Sequence, residues 1–189
     1  MSELKYFTQD ELKKFFTTVK KNGTLRDHAM FNVMYYCGLR VSEVGLLQIS
    51  SYNKFNGALY CQRIKKGISG TVTLDINRQK VINKYVNSLK ETIKTQPLFI
   101  SRQKNGLHRN TIWKLIKMYI KKANIEDKGT HSFRHSIAIH LLEADAPIYS
   151  VKSHLGHKNI SSTMHYLQYT TVQSVKMSKL MMGSNFIVR

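Results

Sequence analysis

The chain has 189 residues, of which 42 % are apolar, so it is long and apolar enough to bury one core and is not a disordered tail. Thirty Lys and Arg against 11 Asp and Glu leave a formal net charge of +19, extreme for one domain and fitting a polyanionic partner, most often nucleic acid. No apolar stretch approaches the ~20 residues of a spanning helix, and Met1 to Lys5 lack the charged-then-apolar order of a signal peptide.

In chain order, Thr8 and Glu11 form a capping-box pair, which predicts a helix running to about Lys21, with Asn22-Gly23 as its stop. A second helix from about Leu25 carries Ala29, Met30, Val33, Met34 and Cys37 at helical spacing and ends at Gly38. Ser42 is expected to cap a short helix through Leu47. Residues 58–64 and 71–74 read as two strands around a basic, glycine-flanked turn containing Lys65, Lys66 and Gly67. Helical patterns return at about 76–93, 108–123, 131–145, 147–155 and 160–168, with a last one near 171–182. Residues 97–100 supply a third short strand. The fold class expected is mainly α with a small three-stranded antiparallel β element, in a single domain over 1–189. Cys37 and Cys61 lack metal-type spacing; Cys37 reads as a buried thiol, and a reduced, cytosolic setting fits.

The residues with chemical potential fall in five places. Arg40 follows a helix-ending glycine, and Glu43, three residues on, can orient its guanidinium; alone, such a pair reads as an ordinary surface ion pair. Lys66 stands in the hairpin turn, where a lysine of lowered pKa can protonate a leaving oxygen; its neighbour Lys65 has almost equal claim, and a solvated turn lysine is the plain alternative. His131 and Arg134 lie three apart at the start of a helix, whose N-terminus attracts phosphate. His135 and His140 are expected to pack or to support the site. Leu155-Gly156-His157 is followed nine residues later by Tyr166, with Tyr169 as a second tyrosine nearby. Planar guanidinium donors match the spread charge of a phosphoryl centre in transit, and a tyrosine hydroxyl can attack phosphorus and hold it covalently. The spacings of His131 with His135 and of His154 with His157 occur in metal sites. The chain nevertheless has no HExxH pattern, paired cysteines or neighbouring carboxylate cluster, and no phosphate-binding GxxxxGK[ST] loop.

Together these pieces resemble the catalytic domain of the tyrosine recombinases, also called the phage integrase family. Gly38-Leu39-Arg40-Val41-Ser42-Glu43 resembles the first arginine box, and Lys65-Lys66-Gly67 the hairpin lysine. His131-Ser132-Phe133-Arg134-His135 is similar to the H-x-x-R box and Leu155-Gly156-His157 to the L-G-H box. Tyr166 stands at the family's spacing for the nucleophile, which selects it over Tyr169. The resemblance runs from about residue 5 to 170.

It implies that Tyr166 attacks a DNA phosphodiester to form a 3′-phosphotyrosyl link and free a 5′-hydroxyl. By the same resemblance, Arg40 and Arg134 clamp the non-bridging oxygens, His131 assists proton transfer at the tyrosine and Lys66 is the general acid. His157 donates a hydrogen bond to phosphate, and Glu43 and His135 support. No metal, ATP or other cofactor is implied. The implied partner is double-stranded DNA, bound by a protein monomeric in free solution and tetrameric on synapsed sites, with accessory DNA-binding proteins and no membrane. The implied setting is the cytoplasm of a bacterium, or a phage or mobile element. The segment 170–189 is expected either to dock on its own domain or to pass between protomers. Because the pattern begins near Met1, the resemblance implies an excised fragment or a short, catalytic-domain-only enzyme akin to the fimbrial invertases. Two readings compete: a type IB topoisomerase-like nicking-closing enzyme, and a DNA-binding protein without catalysis.

Overall fold

The computed structural model describes residues 4–89 and 92–170. Helix α1 (Gln9–Asn22) starts in the expected capping box, with Glu11 N–H donating to Thr8 Oγ1 at 3.2 Å and Thr8 N–H to Glu11 Oε2 at 2.9 Å. It buries the stripe Leu12, Phe15 and Val19, an i, i+3, i+7 face. Helix α2 (Leu25–Tyr36) is buried almost all round, through Ala29, Met30, Phe31, Val33, Met34 and Tyr35. A helix apolar on every side belongs in the centre. Helix α6 (Ser132–Glu143) has the same character and packs against α2. Phe15, Phe31, Phe133 and Tyr119 interlock between these helices at centroid distances of 5.1 to 6.1 Å. Tyr119 comes from α5 (Arg109–Lys122). The remaining helices are α3 (Val41–Val44), α4 (Ile76–Asn87), α7 (Ile148–Leu155) and α8 (Ser161–Met164).

Strands β1 (Ala58–Cys61) and β2 (Gly70–Thr73) pair antiparallel, with Leu59 opposite Val72. Among the described residues the sheet has these two strands, not three. The 97–100 segment makes only isolated bridges, Pro97 to Gln48 and Ile100 to Gly106. Pro97 has no N–H to donate, and the chain after Gln48 coils into a 3-10 turn at Ile49–Ser51, so no ladder extends from there.

Three helix boundaries also differ from expectation. Arg40, not Ser42, is the N-cap of α3, because the Glu43 carboxylate reaches back to the Arg40 N–H at 2.9 Å, and the helix stops at Val44. Helix α4 ends at Asn87, where Ser88 Oγ donates to Tyr85 O at 2.6 Å. The 160–168 pattern splits into α8 and a 3-10 turn, Leu167–Tyr169, with Tyr166 at the junction. The helix expected near 171–182 lies outside the described residues.

Gly38 closes α2 at φ +57°, where an added Cβ would sit 2.7 Å from Leu155 Cδ2. The left-handed turn and this close approach bring the C-terminal ends of α2 and α7 together. Both face the first turn of α6, and the site forms at that junction.

Candidate active site

Glu43 is the hub. It is fully buried, yet its carboxylate accepts four donors. They are Arg40 N–H at 2.9 Å, Arg40 Nη1 at 2.6 Å, Arg63 Nη1 at 3.2 Å and Ile64 N–H at 3.2 Å. Arg134 Nη1 approaches to 4.0 Å. Burial alone would raise the pKa of Glu43, but the Arg40 hydrogen bonds, the Arg63 charge and the Ile64 amide outweigh it and hold the group below its usual value. The sequence-based pairing of Arg40 with Glu43 is therefore present, as part of a buried network and not a surface pair.

Arg63 was not singled out by motif, and it ties the network together. Its Nη1 donates to Gly38 O at 3.2 Å, and its Nη2 to Cys37 O and His154 O, both at 2.8 Å. A signal for it was present in strand alternation. Leu59 and Cys61 are buried while Tyr60 is half exposed, so the period of two carries Arg63 inward. Arg134 makes a matching pair of bonds, from Nη1 to Gly38 O and from Nη2 to Leu155 O, both at 2.7 Å. The last carbonyls of a helix lack intrahelical partners and form the negative end of its dipole. Here the ends of α2 and α7 give theirs to two arginines. Arg134, with one such bond from each Nη, keeps further N–H donors for a ligand, whereas both Nη groups of Arg63 are fully used within the protein. Burial, then the charges of Arg40 and Arg63, pull the pKa of Arg134 down to about 10, so it stays charged at neutral pH in a cluster of net positive charge.

The hairpin loop docks on the L-G-H turn: Ile68 N–H donates to Gly156 O at 3.0 Å. Lys65 and Lys66 both take positive φ, at 53° and 60°, and both side chains are exposed. Lys65 lines a recess of about 240 Å³ together with Arg40, Arg109, Trp113, Thr130 and His131. Lys66 is not part of that lining. A larger cavity of about 510 Å³, between β2 and helices α6 and α7, contains none of Arg40, His131, Arg134 or Tyr166.

The imidazoles and the tyrosine form a second group. Ring centroids step from His131 to His135 at 5.9 Å, from His135 to Tyr166 at 5.7 Å, and from Tyr166 to His157 at 6.4 Å. The Tyr166 side chain is buried, 5 % exposed, and its hydroxyl meets His135 Nδ1 at 3.0 Å. His157 Nδ1 meets Thr163 Oγ1 at 2.7 Å. With the Thr163 hydroxyl donating there, the imidazole proton sits on Nε2 and is free to donate to an anion. Burial, reinforced by nearby positive charges, lowers both His135 and His157 to about 4, so both rings are neutral at pH 7. Burial raises Tyr166, against the charges of Arg134 and Arg40. His140 packs in the core with Nδ1 at 2.8 Å from Tyr35 Oη. Tyr169 lies on the 3-10 turn beyond the cluster, its ring against His165. No group of three or more His, Cys, Asp or Glu is placed to hold a metal ion among the described residues.

A buried, net-positive cluster beside a hydrogen-bonded phenol and neutral imidazoles is suited to a phosphodiester. The profile of the phage integrase family matches residues 5–172. The chain belongs to that family. Its relatives include the tyrosine recombinase XerD of Staphylococcus epidermidis, 33 % identical over 172 residues, covering 83 % of this chain and 55 % of that protein. The tyrosine recombinase XerA of Pyrococcus horikoshii is 32 % identical over 170 residues, 88 % of this chain and 58 % of the relative. This chain thus spans little more than half the length of the curated relatives it matches. Among solved structures, XerA recombinase shares the fold at TM-score 0.81 and 23 % identity, covering 98 % of this chain and 66 % of that one. The XerH site-specific recombinase bound to palindromic difH substrate in a post-cleavage complex does so at TM-score 0.75 and 20 % identity, covering 96 % and 54 %.

Proposed function

We propose that this chain carries the catalytic chemistry of a site-specific DNA recombinase, cutting and rejoining DNA through a 3′-phosphotyrosyl intermediate. The observation that carries the reading is the Tyr166 hydroxyl, buried, hydrogen-bonded to His135 and within electrostatic reach of Arg134 and Arg40, which with Arg63 share one carboxylate. The family's recombinases and the +19 charge support it.

In the proposed step, Tyr166 Oη attacks phosphorus and the bond to O5′ breaks. Arg40 and Arg134 hold the non-bridging oxygens as charge builds; removing one such donor typically costs ~10²–10³ in rate. His157 donates from Nε2, and His131, at the recess with Arg40, serves the same phosphate. The leaving O5′ takes a proton from the hairpin loop, where the sequence pattern selects Lys66 and proximity to Arg40 and His131 selects Lys65. The Tyr166 proton leaves to the histidine pair beside it. Bond energy is kept in the phosphotyrosine, so neither ATP nor a metal is required. A 5′-hydroxyl of another strand reverses the step, which completes an exchange in a tetramer on paired sites, aided by accessory DNA-binding proteins. Whether integration, excision or inversion results is set by the arrangement of the sites.

The test is capture of an SDS-resistant adduct from a pool of nicked duplexes with randomised sequence around the nick. Wild type and Tyr169→Phe are expected to form it and Tyr166→Phe not. Adduct from Tyr166→Phe would move the nucleophile to Tyr169. Relaxation of supercoiled plasmid lacking any selected site would favour a type IB topoisomerase-like enzyme. DNA retention without adduct from any duplex would favour a non-catalytic binder.

A further inference from the structure

We infer that His135 is a further catalytic residue, which holds the Tyr166 hydroxyl and takes its proton as Oη attacks phosphorus. This rests on the strand-transfer reading above.

A phenol is a poor nucleophile until its proton leaves, and a buried phenol more so, because the phenolate loses hydration. The proton therefore needs a partner already in hydrogen-bond reach. Among the described residues the partner of Tyr166 Oη is His135 Nδ1, at 3.0 Å, inside the range a proton acceptor needs. His131 is exposed at the recess, and its ring contact is with His135.

Position supports the assignment. His135 follows Arg134 directly on α6, and Arg134 is pinned by bonds to the ends of α2 and α7. The group that clamps phosphate and the group that holds the nucleophile are thus fixed by one turn of one helix. The ring is neutral at pH 7, and in its Nε2–H tautomer the lone pair on Nδ1 faces the Tyr166 hydroxyl. Its weak basicity reflects burial first, then the positive surroundings of His131, Arg134 and His165. A bound phosphodiester offsets part of that positive charge and raises the affinity of the ring for a proton when it is needed. In the step, the Oη–P bond forms, the P–O5′ bond breaks, and the Oη proton passes to Nδ1 to give an imidazolium. When a 5′-hydroxyl attacks in the reverse direction, the leaving phenolate takes that proton back.

Two experiments test this. The first needs no DNA: ¹⁵N-histidine NMR of the whole chain at pH 7. His135 is expected as the Nε2–H tautomer with unprotonated Nδ1, its Nδ1 resonance moving in Tyr166→Phe; an Nδ1–H tautomer would overturn the assignment. The second uses duplexes selected by wild type, with either an ordinary 5′-oxygen or a 5′-bridging sulfur, which leaves without a general acid. His135→Phe is expected to cut both ~10²-fold or more slower than wild type. A loop-lysine variant is restored by sulfur. His135→Asn, whose Oδ1 takes the place of Nδ1 but binds a proton poorly, is expected to fall between, with the thermal midpoint of each variant checking its fold. Cutting by His135→Phe within three-fold of wild type, or its rescue by sulfur, would sink the inference while the phosphotyrosyl reading stands. Failure of wild type to cut any duplex would remove both.

Discussion

Replacing Glu43 by glutamine keeps the volume of the side chain and removes its charge. Arg40, Arg63 and Arg134 bring three positive charges to one carboxylate, a balance of 3 − 1 = +2, and the substitution makes it +3. The Glu43 side chain is 0 % exposed, those of Arg63 and Arg134 2 % and 3 %, so water screens little of the loss. The amide also presents an NH₂ where one carboxylate oxygen accepted from Arg63 or Arg40. Breaking a buried pair by removing one partner typically costs ~3–5 kcal/mol. At about 2–4 °C per kcal/mol for a domain of this size, Tm falls on the order of 10 °C. The assay is thermal and urea denaturation of Glu43→Gln against wild type, each repeated across a sulfate titration. A tetrahedral anion that binds the native cluster stabilises it in proportion to its affinity, and that affinity is expected to be higher in the more positive variant. The sulfate-dependent rise in Tm should therefore be larger for Glu43→Gln than for wild type. A variant within 1 kcal/mol of wild type, or equal sulfate shifts in the two, would refute the view of Glu43 as the counter-charge to a phosphate-binding arginine cluster.

Three further outcomes are expected. Thr163→Val leaves the His157 Nδ1 without its partner and frees the ring to take the wrong tautomer; adduct formation should slow by about ten-fold or more, with Thr163→Ser close to wild type. Gly156→Ala places a Cβ 2.4 Å from Ile68 O at a residue with φ +67°; it should lower stability by ~2 kcal/mol or more in urea melts and make the hairpin loop more susceptible to limited proteolysis. Stability should also fall with acid. His135 and His157 have folded-state values of about 4 against 6.5 when unfolded, so below 6.5 the unfolded chain binds more protons. His28, His131, His140 and His154 are shifted the same way. The contribution is fully present above pH 6.5 and lost towards pH 4; a urea midpoint that stays flat, or that rises as pH falls through that window, would contradict it.

What was legible in the sequence was what short-range physics decides. Thr8 with Glu11, Gly38 at the end of α2 and the alternation of the first strand each translate into local geometry without help from the rest of the chain. The motif boxes named Arg40, Glu43, His131, Arg134, His157 and Tyr166, and the structure draws them into two connected clusters. The misses have a common cause. Ser42 is a good cap by type, yet Glu43, held by Arg63 from just beyond β1, 20 residues away, reaches the Arg40 amide first. The 160–168 pattern is helical by periodicity, but the chain tightens to an i, i+3 bond from Tyr166 N–H to Thr163 O, where Thr163 meets His157 and Tyr166 meets His135. Arg63 escaped because an arginine at the end of a strand is usually solvated, and only its distant partners make it an interior residue.

Those distant partners explain why arginine, and not lysine, serves this junction. Three successive carbonyls at the end of α7 are each taken by a different part of the site: His154 O by Arg63, Leu155 O by Arg134 and Gly156 O by the Ile68 amide. Two more, Cys37 O and Gly38 O, lie at the end of α2. A guanidinium is planar, with donors in a fixed fork, so bonds to two carbonyls on different helices leave its remaining N–H groups aimed in a direction set by the backbone. An ammonium has one nitrogen to divide among the same acceptors and a flexible stem behind it. The net positive charge that this packing stores is costly in the free protein, because burial and mutual repulsion already pull Arg134 down to about 10. A phosphodiester that enters meets donors whose orientation and desolvation were settled when the chain folded, so its binding is not spent on ordering them. The transition state, with more charge on the same oxygens, gains more from that arrangement than the ground state does, which is the condition for rate and not merely for affinity.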